Sequence, residues 1–148
     1  MAVALFDLDQ TLLAGDSEYL WGLLLARRKG ADVDTHERES YRFYEDYLAG
    51  RLDFEEYMGF QLRPMADCEP EELLSWREDY ITEVIAPRIA PQAPALLDHH
   101  RARGDTLVII TASNRFVSQP IAQHLGVENL LSTEPEFDEQ RLTGRFVR

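Results

Sequence analysis

Apolar residues fall along the chain in two rhythms. Ala2–Phe6 and Thr106–Ile110 are short, nearly continuous apolar runs. Such a run, ended by polar residues, predicts a strand buried on both faces of a parallel sheet. The second run is richer in β-branched residues, which favour strands. It follows Gly104, a residue placed as the stop of a preceding helix. Between the runs, apolar residues recur at helical spacing. A first helix is predicted from Asp16 or Ser17 to Arg28, with Gly30 beyond its end. Asp34 and Glu37 have capping-box spacing for a second, which carries Tyr41, Tyr44 and Leu48 on one stripe and stops at Gly50. Asp53 and Glu56 repeat the box for a third, closed by Pro64. Pro70 takes the first turn of a fourth, with Leu73, Trp76, Tyr80 and Val84 at helical spacing and Pro87 as its end. A fifth helix is predicted over 92–103 and a sixth over 115–125. The tail, 130–148, has two strand-like pieces around Asp138–Gln140, which predicts a hairpin.

About 100 residues between two parallel-type strands are too many for one crossover helix. The expected architecture is α/β: a Rossmann-like core at 1–15 and 87–148, with an α-helical cap inserted at 16–86 and a return hinge at 87–91. With 148 residues, 45% of them hydrophobic, the chain matches a single globular domain and not a disordered one. Its 15 basic against 27 acidic residues give a net charge of −12, a poor balance for neutralising nucleic-acid phosphates. No apolar run reaches the roughly 18 residues of a membrane span, and the N-terminus lacks a basic signal-peptide region. The expectation is a soluble cytoplasmic protein with neither nucleic-acid nor membrane partners. A single cysteine, Cys68, excludes an internal disulfide and a Cys-based zinc site. The only lysine is Lys29.

The chemistry gathers at the two strand ends. The first ends in Asp7-Leu8-Asp9-Gln10-Thr11 and the second in Thr111-Ala112-Ser113-Asn114. Open parallel sheets bind ligands at the carboxyl ends of their strands. Asp9, two residues after Asp7, can point to the same side. Two carboxylates so placed can divide labour, one attacking and one shuttling a proton. Close carboxylates repel, so a divalent cation such as Mg²⁺ is expected between them. Thr111 offers a hydroxyl, and free backbone N–H groups beyond each strand can cradle a phosphate. Ser113 and Asn114 have two readings, helix caps or substrate contacts. Asp7, Asp9, Thr11 and Glu18 also fall at positions one, three, five and twelve of a calcium loop. Position six, however, is Leu12, where that loop demands glycine. Tyr41, Tyr44 and Tyr47 read as packing, Arg27–Lys29 as charges complementing a helix C-terminus, and the four histidines form no ligand spacing.

The Asp-x-Asp-x-Thr motif after an apolar strand, a long helical insertion and a strand ending in Thr resemble the haloacid dehalogenase superfamily. The insertion point is similar to that of its subfamily IB, the phosphoserine-phosphatase-like group. The resemblance is carried by Leu5–Leu13, Asp16–Ser17, Trp21, Ile110–Asn114, Phe116–Val117 and Pro120–Ala122. It implies a Mg²⁺-dependent phosphatase acting on a small phosphorylated metabolite through an aspartyl-phosphate. Asp7 would be the nucleophile and Asp9 the general acid and base. Thr11 would support the loop, and Thr111 with the Ala112 N–H would hold the phosphoryl group. Asp7 and the Asp9 main-chain carbonyl would ligate Mg²⁺. Asp16 falls where the subgroup carries a glutamate that meets the substrate's amine, which implies a cationic substrate group; the alternative is a plain helix cap.

One departure from the family pattern is clear. The family uses a lysine and a further acidic motif after the second strand, yet no lysine follows Thr111 here. The later acids are Glu128, Glu134, Glu136, Asp138 and Glu139. The chain is therefore expected to be truncated or partial, with its first strand an exposed edge open to pairing. A second hypothesis follows: a catalytically incomplete fragment or a non-enzymatic binding module.

Overall fold

A computed structural model describes residues 1–148. Strand β1 (Val3–Asp7) is followed by helices α1 (Ser17–Lys29), α2 (Val33–Leu48), α3 (Phe54–Ala66) and α4 (Pro70–Asp79). A π-helical turn (Tyr80–Ile85) and a 3₁₀ turn (Ala86–Arg88) lead to α5 (Ala93–Ala102), β2 (Thr106–Asn114) and α6 (Arg115–His124). Strands β3 (Asn129–Thr133), β4 (Pro135–Asp138) and β5 (Arg141–Phe146) complete the chain. The fold is α/β. Strands β1, β2 and β3 form a parallel sheet in that order, with Asp7 beside Ile110 and Ile110 beside Leu131. β1 is thus an edge strand. β4 and β5 form a separate antiparallel hairpin that packs against α3. Gly144 allows this approach: its φ is 88°, and a Cβ there would lie 3.2 Å from Arg63 Cγ.

The two faces of the parallel sheet differ. Phe6, Leu107, Ile109 and Leu130 are buried beneath α5 and α6. On the opposite face Val3, Leu5, Ile110 and Leu131 are 63, 61, 41 and 59% exposed. No helix is long and apolar enough to cross a membrane.

The helices between β1 and β2 share their interior with the sheet. One cluster of 26 buried residues includes Phe6 and Ile109 from the sheet and Leu62 and Tyr80 from the helical segment. Trp21 sits at the joint, edge-on to Tyr80 at 5.3 Å and tilted against Phe116 at 5.7 Å. The two connections are tied as well. Ala14 N donates to Arg88 O (2.7 Å) and Ala90 N to Leu12 O (2.9 Å), an antiparallel bridge across Leu13 and Ile89. The segment expected as the return hinge, 87–91, is therefore paired along part of its length.

Several expectations are corrected. β2 continues through Asn114, past the strand-ending Thr111, with a register irregularity between Ile110 and Asn114. The cap of α2 is Asp32, not Asp34: its oxygens accept Asp34 N (3.0 Å) and Thr35 Oγ1 (2.7 Å). Pro64 does not end α3, which runs two residues past it to Ala66, so the turn that follows the proline is short. Lys29 does complement a helix C-terminus, that of α3, donating to Pro64 O (2.6 Å) and Asp67 (2.8 Å). The π turn inserts a residue into the inward stripe, so Ile85 is fully buried where Val84 was expected. Tyr41, Tyr44 and Tyr47 are exposed. The inward stripe of α2 is Val33, His36, Ser40 and Phe43, and His36 stacks on Phe60 at 5.3 Å. Of the tail pieces, Leu130 joins the parallel sheet, and the hairpin forms from β4 and β5, turning at Glu139 with φ 57°.

Candidate active site

Asp7 closes β1 and its side chain is exposed. One carboxylate oxygen accepts Leu8 N (2.9 Å), and the other lies 3.5 Å from Thr11 Oγ1. The chain then turns tightly: Leu8 O receives the N–H groups of Thr11, Leu12 and Leu13 at 3.1–3.2 Å. Gln10 takes a left-handed φ of 58° to make the turn, uncommon outside glycine. Thr11 thus braces both the loop and Asp7.

Asp9 is half-buried and fully engaged. Oδ1 accepts Ser17 N (2.9 Å) and Oδ2 accepts Ser113 Oγ (3.1 Å). Burial raises its pKa above the ordinary carboxylate value, with the Asp16 charge adding to the rise and the Ser17 and Ser113 donors opposing it. A raised pKa favours a carboxyl group that gives up a proton to a leaving group. Asp16 caps α1 by accepting Tyr19 N (3.1 Å). Its charge also raises the pKa of Glu18, so it forms part of an acidic locus at the helix start.

The far wall is the end of β2. Thr111 is buried, and its Oγ1 accepts Ser113 N (3.1 Å), which leaves the hydroxyl proton free to donate elsewhere. Ala112 is exposed beside it. Ser113 and Asn114 are buried and turn inward. Asn114 Oδ1 caps α6 through Val117 N (3.2 Å), and its Nδ2 donates to Glu18 Oε2 (2.8 Å). Both side chains therefore spend their polar atoms on the protein itself.

Sequence reasoning gave Ser17 and Tyr80 only helix positions, set Glu18 aside with the calcium loop, and passed over Tyr57. An acid in the first turn of a helix ordinarily complements the dipole from the surface, so nothing marked Glu18 as interior. It is 3% exposed, bonded to Asn114 and 3.4 Å from Tyr57 Oη. Burial pushes its pKa up to about 8, against the Asn114 hydrogen bonds. The unfolded chain would lose that proton near the reference value of 4.5. The folded state therefore binds more protons between those values, and stability falls as pH rises from about 4.5 to about 8. Glu18→Gln is expected to flatten this slope, gaining on the parent steadily toward pH 8. Thermal melts at intervals from pH 5 to 8.5 check it, and parallel curves would reject it.

For a metal, the donors are few. Both carboxylate oxygens of Asp9 accept from protein donors, and its main-chain carbonyl is the ligand that the family resemblance implies. Asp7 offers the one open carboxylate. No group of three His, Cys, Asp or Glu side chains is placed to hold a metal ion. This set fits Mg²⁺ in its sparsest form, since that ion keeps several waters and accepts one or two carboxylates plus substrate phosphate.

The chain as a whole is similar to known proteins. The haloacid dehalogenase-like hydrolase family matches residues 4–148, and the chain belongs to that family. It is 32% identical over 146 residues to a histidinol-phosphatase of Neisseria meningitidis serogroup C (strain 8013), covering 98% of this chain and 66% of that protein. A Bordetella pertussis Tohama I protein of unknown function superposes with a TM-score of 0.89 at 39% identity, covering 99% of this chain and 66% of that one. A substrate-bound phosphoserine phosphatase shares the fold at 18% identity with a TM-score of 0.67, covering 98% of this chain and 61% of that one. The chain spans 66% or less of the length of each of these three.

Proposed function

We propose that this chain carries the phosphoryl-transfer site of a cytoplasmic phosphomonoester hydrolase acting on a small phosphorylated metabolite. The carrying observation is the contrast between two acids at one strand end: Asp7 open to solvent, Asp9 held on both oxygens with a raised pKa. An Asp7 oxygen would attack phosphorus in line as the ester P–O bond breaks. The Asp9 proton would pass to the departing alkoxide. In the second half, water would attack the aspartyl-phosphate and give its proton to Asp9, releasing phosphate. The Thr111 hydroxyl and Ala112 N–H would hold the phosphoryl oxygens. Asp7 and the Asp9 carbonyl would hold Mg²⁺, which supplies charge neutralisation at the phosphoryl group. Asp16 would favour a substrate with a cationic group. The phosphatase names of the relatives support this reading.

A second reading, a catalytically incomplete unit or binding module, has its own support. The sole lysine is occupied at the junction of α1 and α3, and no group of three acids is placed to hold a metal ion. Losing one electrostatic donor from such a site costs about 3–4 kcal/mol, roughly 10²–10³ in rate. Hydrolysis of p-nitrophenyl phosphate by this chain, with Mg²⁺ and with chelator, separates the two. Chelator-sensitive turnover is the expected result. A folded chain without turnover would favour the second reading.

A further inference from the structure

A carboxylate that must meet a substrate keeps its orientation only if both of its oxygens are held. The Ser17 N–H holds Asp9 Oδ1 at 2.9 Å. Oδ2 accepts from Ser113 Oγ at 3.1 Å, and Ser113 Oγ faces Ser17 Oγ at 2.7 Å. A hydroxyl both donates and accepts, so Ser113 can donate to Oδ2 while accepting from Ser17.

We propose that Ser113 is a positioning residue for Asp9, its buried hydroxyl holding the carboxylate in one orientation. The proposal rests on the hydrolase reading above and gives Ser113 a role other than substrate contact. Three further features make the hold rigid. Ser113 and Ser17 are 3% and 0% exposed, which shields the pair from competing water. Tyr80 Oη fixes the Ser17 carbonyl at 2.7 Å. The next residue on each element repeats the link, Glu18 to Asn114 at 2.8 Å, so the start of α1 is joined to the end of β2 twice over.

The test compares Ser113→Ala and Ser113→Thr with the parent chain. Amide exchange at Ser17 reads the hold on Asp9 without any turnover, because that N–H is bonded to the same carboxylate. In Ser113→Ala, Ser17 exchange is expected to accelerate at least about tenfold, with β2 and α6 amides unchanged. On p-nitrophenyl phosphate with Mg²⁺, kcat is expected to fall about tenfold to a hundredfold, with KM within about twofold. Ser113→Thr, which keeps the hydroxyl, is expected to restore both. Unchanged Ser17 exchange in the alanine variant, or equal loss in the threonine variant, would overturn the proposal. A parent chain without turnover counts against the hydrolase reading, and the exchange comparison alone then upholds or overturns the role of Ser113.

Discussion

Asp7→Asn is expected to abolish hydrolysis of an aryl phosphate, a fall of at least about a thousandfold in kcat. The substitution replaces the attacking oxygen with an amide that cannot form the acyl-phosphate. The fold is expected to survive, because Asp7 is exposed and its bonds are to Leu8 N and, at 3.5 Å, Thr11 Oγ1. An asparagine oxygen can accept either bond. Acid quenching during turnover of a ³²P-labelled phosphomonoester checks the same point directly: the parent chain should retain label and the variant none. Persistent turnover in a correctly folded Asp7→Asn chain would remove Asp7 from the nucleophile's role.

Trp21→Ala is expected to destabilise the chain by about 3–5 kcal/mol, the range for deleting a large buried aromatic side chain. Trp21 is 1% exposed and contacts rings from both parts of the molecule, Tyr80 in the helical segment and Phe116 in α6 beneath the sheet. Its indole N–H also reaches Met65 Sδ at 3.2 Å. Alanine would leave a cavity where the two parts meet. Urea denaturation followed by circular dichroism measures the loss. A single transition is expected for parent and variant, since one hydrophobic cluster spans both parts. A loss below about 1 kcal/mol would show that the joint contributes little.

Local patterns made much of the fold legible. The apolar runs located β1 and the start of β2, and glycines and caps bounded most helices within a few residues. The parts misread depend on distant partners. Whether Tyr41 or Phe43 faces inward is decided by α1 and α3, against which α2 packs. The length of β2 is set by pairing with β3, where Asn114 lies beside Thr133. At the site, Asp7, Asp9 and Thr111 could be picked out because motif and strand end coincide. Ser113 and Asn114 were visible as polar residues, but their partners Ser17 and Glu18 lie 96 residues away in the sequence. Helix-cap chemistry fully accounts for Ser17 and Glu18 until the fold brings them under β2.

The pairing of Leu12–Ala14 with Arg88–Ala90 also bears on modularity. The inserted helices leave the core and return to it on adjacent, hydrogen-bonded strands, whose Cα atoms lie about 5 Å apart. A short turn could bridge that gap, so the sheet's topology places little constraint on the size of the insertion. What holds the insertion in place is chemical: the aromatic joint at Trp21 and the polar links from Ser17 and Glu18. A transplanted insertion would need to reproduce those contacts together with the apolar surface it shares with the sheet.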